Sequence, residues 1–237
     1  MQPPSICLFG DARIVAEMVR DGIYYALGFS VAGLVASWLI GPWAAVPLLL
    51  VAAFCAWFFR DPERLIPVGP VAVSPADGKV MSIVAEDGGR RISIFLNVFD
   101  VHVNRSPISG IIVDAQYRRG KFLVASREAA SSENEQTIVT VRMKDGTIVV
   151  FKQIAGLIAR RLVLNKKAGD FVQAGDRIGL MKFGSRMDVI LGPEWCIDVT
   201  QGQRVVGGTS ILAHRAGEVV IPVVAAVALK EPAFCQT

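Results

Sequence analysis

Two periodicities divide the chain. Residues 23–59, IYYALGFSVAGLVASWLIGPWAAVPLLLVAAFCAWFF, carry no charged side chain. A run this long exceeds the roughly 20 apolar residues of one membrane-crossing helix. Gly41-Pro42 near its middle is a turn signal. The pattern predicts a helical hairpin of two short apolar arms over residues 1–60, with Trp38, Trp43 and Trp57 near the arm ends, where aromatics sit at a membrane boundary. Each arm is marginal in length, so spanning and interfacial arrangements both fit, as do two buried core helices. Arg13, Arg20, Arg60 and Arg64 flank the block, which predicts both ends on the cytoplasmic face of a cell membrane. A secretory signal fits poorly, because the block is too long and lacks an A-x-A site.

"RDPERLIP" follows and should end the helix near Phe59. Beyond it the period falls to two. "KVMSIV", "RISIFLNVF", "GIIVDAQY", "QTIVTVRM", "TIVVFKQIA", "RRLVLNKK" and "MDVIL" read as short strands between Gly, Asp and Pro turns. Lys144-Asp145-Gly146-Thr147 is a hairpin turn signal. Residues 126–136 are polar and read as a loop with one helical turn. Residues 61–237 are therefore expected to form a mainly β domain. "GDFVQAGDRI" and "GQRVVGGTSI" share the pattern G-x-x-V-x-[AG]-G-x-x-I. This echo predicts a sandwich or barrel-like domain of repeated strand–turn units with quasi-two-fold symmetry, as in lipoyl and biotinyl carrier modules.

Composition sharpens this picture. Hydrophobic residues make up 52% and charged residues 19%, below the usual quarter, which points to membrane contact. The net charge of +4 favours an anionic partner, lipid headgroups before nucleic acid, because aromatic residues do not interleave with the basic ones. Cys7, Cys55, Cys196 and Cys235 form no C-x-x-C pair, so neither a zinc site nor a disulfide framework is indicated. With only His102 and His214, multi-histidine metal sites are excluded and no metal is expected.

Three features could carry chemistry. Gly184-Ser185 interrupts an apolar strand pattern, and a serine hydroxyl can attack a preceding glycine carbonyl if a base is near. His102, in "FLNVFDVHVNRSP", reads as part of an apolar strand that then meets a turn, and is the first choice for a general base near neutral pH. Asp77, in "SPADGKV", is ordinary turn chemistry that can also orient a histidine. Taken singly, each is commonplace.

Together they carry a resemblance. "FFRDPER", "SPADGKV", "FLNVFDVHVNRSP", "GKFLVASREAASSENEQ", "QIAGLIARR" and "GLMKFGSR", following the apolar hairpin, occur in the order found in phosphatidylserine decarboxylase proenzymes of the short, membrane-anchored bacterial form. The chain resembles that family over nearly its whole length. The resemblance implies that Ser185 attacks the carbonyl of Gly184, that β-elimination separates a large chain, 1–184, from a small chain, 185–237, and that Ser185 becomes a covalent pyruvoyl group. The two chains are expected to stay paired through shared sheets. The pyruvoyl carbonyl would form a Schiff base with phosphatidylserine and act as electron sink for its decarboxylation to phosphatidylethanolamine. His102 would be the base for self-cleavage, with Asp77 orienting it. Longer family members carry a second histidine where this chain has Arg105, so a two-histidine mechanism is excluded and Arg105 is a candidate for the lipid phosphate. The hairpin is expected to be separable from the chemistry, which would use only residues beyond 76. Expected partners are phosphatidylserine, membrane lipid and the paired chains, with a homo-oligomer left open and no nucleic acid. Two alternatives stand beside this reading: another serine-headgroup lipid as substrate, or a membrane-tethered carrier bearing biotin or lipoate on Lys182.

Overall fold

The computed structural model describes residues 9–86, 88–157, 161–181 and 184–217. The uncharged block forms the expected hairpin: α1 (Phe9–Leu39), a single 3-10 turn (Pro42–Ala44), and α2 (Ala45–Phe58). Gly41 takes φ 135° ahead of Pro42, a backbone that a residue with a Cβ rarely adopts, so the break falls at this dipeptide. The arms are unequal rather than both short. α1 spans 31 residues because the helix begins upstream of the uncharged block, whereas α2 has 14. Arg20–Leu39 is long and apolar enough to cross a membrane. Trp38 and Trp43 at the hairpin tip are 85% and 86% exposed, which is compatible with membrane association.

Fourteen strands follow among the described residues. They are β1 (Val71–Val73), β2 (Gly78–Glu86), β3 (Gly89–Leu96), β4 (Val103–Arg105), β5 (Gly110–Arg118), β6 (Gln136–Arg142) and β7 (Ile148–Ile154), then β8 (Leu162–Leu164), β9 (Phe171–Val172), β10 (Arg177–Met181), β11 (Ser185–Leu191), β12 (Trp195–Ile197), β13 (Arg204–Val205) and β14 (Ile211–Arg215). Each strand expected from period-two patterning is present. The turn in 126–136 is α3 (Ala130–Glu133). The fold is mainly β, as expected. The main sheet is antiparallel and curls into a half-barrel with strand order β13-β2-β3-β11-β7-β6-β5-β9. Two small sheets, β1-β14-β12 and β4-β10-β8, complete the domain.

These orders encode a pseudo-two-fold axis between β11 and β7. It exchanges β13, β2, β3 and β11 with β9, β5, β6 and β7, and exchanges the small sheets strand for strand. The sequence echo sits on matching turns. Gly169 and Gly202 have φ 94° and 92°, and Gly175 and Gly208 have 85° and 77°. The symmetry also pairs Ser74-Pro75 with Ser106-Pro107, which the echo did not include. Ser74 Oγ donates to the Ala76 carbonyl and Ser106 Oγ to the Ile108 carbonyl, both at 2.7 Å. Ile66, from the linker after the hairpin, wedges between the repeats. A Cβ on Gly175 or Gly208 would lie 2.5 or 2.9 Å from its Cδ1.

One half is continuous, β4 to β10. The other is β1 to β3 plus β11 to β14. The first is thus inserted between β3 and β11, and the chain crosses between halves twice, after Leu96 and between Met181 and Gly184. Among the described residues, all strands after Gly184 belong to the discontinuous half. β11 is hydrogen-bonded between β3 and β7, so strands on either side of Gly184-Ser185 share one sheet, as expected. The core between the sheets includes Ile92, Ile94, Phe151, Met187, Val189 and Leu212. A second, smaller cluster joins Phe58 and Phe59 to Val101, Val103 and Leu180.

Candidate functional site

The two crossings lie side by side. His102 is not inside an apolar strand. β3 stops at Leu96, the turn at Asn97–Asp100 reverses the chain, and His102 immediately precedes β4. Its carbonyl accepts from the Met181 amide at 3.1 Å, which binds one crossing to the strand that leads into the other. The His102 ring is 1% exposed. Its Nδ1 lies 2.9 Å from the Asp100 carbonyl oxygen, a pure acceptor, so Nδ1 carries the proton. The Nε2 lone pair then accepts from the Gly184 N–H at 3.3 Å. Burial pushes the imidazole down to about 4, with Asp100 and Asp77 opposing that shift and Arg60 adding to it. At neutral pH the ring is an uncharged base whose lone pair points at the peptide unit next to Ser185.

Gly184 takes φ 54°, in the left-handed region that favours glycine. Its carbonyl oxygen lies against Gly156, where a Cβ would be only 2.1 Å away. Asn134 braces this contact: its Nδ2 donates to the Ala155 carbonyl at 2.7 Å and to the Leu123 carbonyl at 2.9 Å. Ser185 opens β11, is fully buried, and its Oγ has no hydrogen-bond partner. Leaving a buried hydroxyl unpaired costs about 1–3 kcal/mol and marks a place where something other than folding sets the residue. Asn104 and Gln153 are likewise fully buried; Gln153 Nε2 donates to Asn104 Oδ1 at 2.8 Å, while Asn104 Nδ2 and Gln153 Oε1 are unpaired.

The other two expected site residues are hydrogen-bonded to other partners. Asp77 does not hydrogen-bond His102. Its Oδ1 accepts from the Gly207 amide at 2.7 Å and its Oδ2 pairs with Arg64 at 2.8 Å. The turn chemistry of "PADG" dominates, and the Asp100 carbonyl holds the histidine instead. Arg105 is 5% exposed and committed: its Nη2 meets Asp61 at 2.8 Å and its Nη1 the Gly175 carbonyl at 3.0 Å. Asp61 also pairs with Arg177, so "RDP" is a buried anchor for the linker rather than an open phosphate site. Lys182 lies outside the described residues. His214 pairs with Asp198 at 2.8 Å on the far small sheet.

Sequence reading missed several residues. Phe58 was assigned to the hairpin, yet its ring lies 4.4 Å from the His102 ring, centroid to centroid, at 34°. The hairpin thus packs a side chain directly against His102, a contact the expectation of a separable hairpin did not include. Arg186 and Asp188 alternate with Met187 and Val189, a pattern that reads as a solvent face, but both are fully buried. Arg186 Nε donates to Asp188 at 2.6 Å and its Nη2 to Ser93 Oγ at 2.7 Å; Asp188 also takes Arg91 and Ser131 Oγ. The segment around α3 covers this face, and nothing local in β11 announces that cover.

The family model described as phosphatidylserine decarboxylase matches residues 51–213. A phosphatidylserine decarboxylase proenzyme of Solibacter usitatus is 63% identical over 199 residues, covering 84% of this chain and 97% of that protein. Proenzymes of the same name from Solidesulfovibrio magneticus and Syntrophus aciditrophicus are 40% and 42% identical, covering 85% and 82% of this chain and 98% and 96% of theirs. A half-barrel with these relatives is a decarboxylase, a carbon–carbon lyase. More narrowly, the chain belongs to the phosphatidylserine decarboxylase family.

Proposed function

We propose that the chain is a proenzyme that cuts itself between Gly184 and Ser185. Through a pyruvoyl group made from Ser185, it then decarboxylates phosphatidylserine to phosphatidylethanolamine at a membrane surface. The observation that carries this reading is a neutral His102, its Nε2 lone pair on the Gly184 amide, one residue from a buried and unpaired Ser185 hydroxyl.

In this reading Ser185 Oγ gives its proton to His102 Nε2 and adds to the Gly184 carbonyl carbon. The Gly184–Ser185 amide breaks as its nitrogen takes the proton back, leaving an ester. Removal of the Ser185 α-proton then expels Gly184 as a carboxylate. Residue 185 is left as dehydroalanine, which takes up water and loses ammonia to give the pyruvoyl group. Ser185 is the residue present that suits such a group: it begins a strand, pairs with Leu96 of β3, and has an oxygen free of other bonds. Once formed, the pyruvoyl group supplies an electron sink for carbon dioxide loss. His102 then holds a proton for return to the substrate α-carbon. The apolar hairpin keeps the domain at the lipid surface.

Intact mass of the purified protein tests the reading. Two pieces split before residue 185 are expected, the smaller blocked at its N-terminus and reactive toward carbonyl reagents, together with carbon dioxide release from phosphatidylserine vesicles. An uncut chain that still decarboxylates phosphatidylserine overturns it.

A further inference from the structure

We propose that Phe58 is a positioning residue for His102, and that the apolar hairpin thereby makes self-cutting conditional on its own docking. The inference rests on His102 as the cleavage base. Four consecutive residues at and just after the end of α2 fix the hairpin here: two grip Phe99, one covers His102 and one presses against α1. The Trp57 ring meets Phe99, on the His102 crossing, edge-on at 6.0 Å. Phe58, 1% exposed, covers the imidazole. Phe59 presses against α1, where a Cβ on Gly22 would lie 2.4 Å from its own Cβ. Arg60 lies 4.0 Å over the Trp57 ring, and its Nη2 donates to the Phe99 carbonyl at 2.8 Å.

The small core that results touches both crossings: Val101 and Val103 flank His102, and Leu180 precedes Gly184. It is built from the hairpin end on one side and the crossings on the other, so neither part can bury these side chains alone. Phe58 does two things there. Its ring limits the tilt of the imidazole, which keeps Nε2 on the Gly184 amide while Nδ1 stays on the Asp100 carbonyl. It also excludes water, which disfavours the charged ring. The charged groups facing His102 are Asp100 on its own crossing, Arg60 at the end of α2 and Asp77 on the β1–β2 turn. Asp100 is itself held by Arg204 and by the Asn97 amide. The carboxylates favour a charged ring and Arg60 disfavours it; the cover provided by Phe58 decides the balance, and the ring stays neutral.

The test follows chain splitting against pH for full-length protein made in the presence of liposomes. A Phe58→Ala change exposes the imidazole, so the acid limb should move up from near pH 4 toward the ordinary histidine value of about 6.5. At pH 5 this costs about 30-fold in rate through loss of the neutral base, and much less at pH 8. Phe58→Leu, which keeps apolar cover without the ring, should move the limb by a smaller amount. The imidazole can be read independently of cutting: in a Ser185→Ala, His214→Asn chain the only histidine signal is His102, and its titration should rise when Phe58 is replaced. An unmoved limb and an unmoved titration in both Phe58 variants, with His102→Ala uncut, overturn the proposal and leave Phe58 a packing residue. Full-rate splitting of His102→Ala instead sinks the base reading beneath it.

Discussion

The two halves of the β domain are built alike and used differently. In the continuous half, β6 turns into β7 through Lys144–Thr147, with Gly146 at φ 90°. In the other half the matching strands, β3 and β11, pair just as closely, Ser185 opposite Leu96, but no turn joins them. The chain departs after Leu96, builds the whole continuous half, and returns at Ser185. Where one half has a four-residue turn, the other has two crossings, and His102 and Gly184 meet there. The neighbouring backbone bonds show the same substitution: Met181 N–H to the His102 carbonyl matches Arg215 N–H to the Pro70 carbonyl, both at 3.1 Å. A proline stands in one half where His102 stands in the other. The lesson is that this candidate site lies at the interruption of a repeat, where the proposed cut would not have to open a hairpin.

That comparison can be broken most severely at Ser185. Ser185→Ala should leave a folded, uncut and inactive chain, seen as one full-length species by mass. Next, His102→Ala should slow cutting by about 10²–10⁴-fold, the usual worth of a positioned base; replacing its counterpart, Pro70→Ala, should leave the cutting rate unchanged. Deleting residues 1–59 should slow cutting nearly as much as losing His102, because Phe58 and Phe59 leave with the hairpin. Gly156→Ala should slow it about 10-fold or more, since a Cβ 2.1 Å from the Gly184 oxygen must displace that carbonyl; Gly146→Ala at the hairpin turn should cost about 1 kcal/mol of stability by denaturant titration and leave cutting alone.

The smallest effects concern the matched turn caps. Asp77 accepts from the Gly207 amide, and Ser109 from the Ala174 amide at 2.9 Å, at equivalent places. Asp77→Asn and Ser109→Ala should each lower stability by about 1 kcal/mol, with cutting changed only a few-fold. Acid should also weaken the fold through His102. Its folded value near 4 lies below the ordinary 6.5, so the unfolded chain binds the proton first. Stability contributed by the neutral ring is therefore intact above about pH 6.5 and is lost as pH falls from there to about 4. The loss should be absent in His102→Ala.

What sequence could tell divides along the same line. Strands with one covered face, such as β2 and β6, announce themselves by alternation, and the hairpin by its missing charges. The repeat was legible because its turns demand glycine at matched positions. The Ser74-Pro75 and Ser106-Pro107 match was not, because two residues are too few to stand out before the bonds are seen. Ser185 and His102 were found through the resemblance and their chemistry. Asp77 caps a turn and makes no hydrogen bond to His102, and spacing cannot tell a turn cap from an orienting carboxylate; the oxygen that meets Nδ1 is a backbone carbonyl, that of Asp100, which no side-chain pattern reveals. Phe58, Gly156 and Arg186 act through contacts made across long chain separations, and local periodicity carries no record of those.

The central seat of β11 also has a kinetic meaning. It is zipped to β3 along its whole length and to β7 along most of it, while β13 pairs with β2 at the edge of the same sheet and β14 pairs with β1 in a small sheet. In the proposed cut protein, a fragment beginning at Ser185 would hold the middle of the main sheet through β11, although its β12 and β13 lie at sheet edges. Its release would require the sheet around β11 to unfold, so it should behave as a complemented split protein and not as a bound peptide. Denatured and mixed again, the two pieces would have to rebuild a sheet whose middle strand comes from the shorter one. Recovery after unfolding should then become dependent on concentration, where an uncut chain refolds at a rate independent of it.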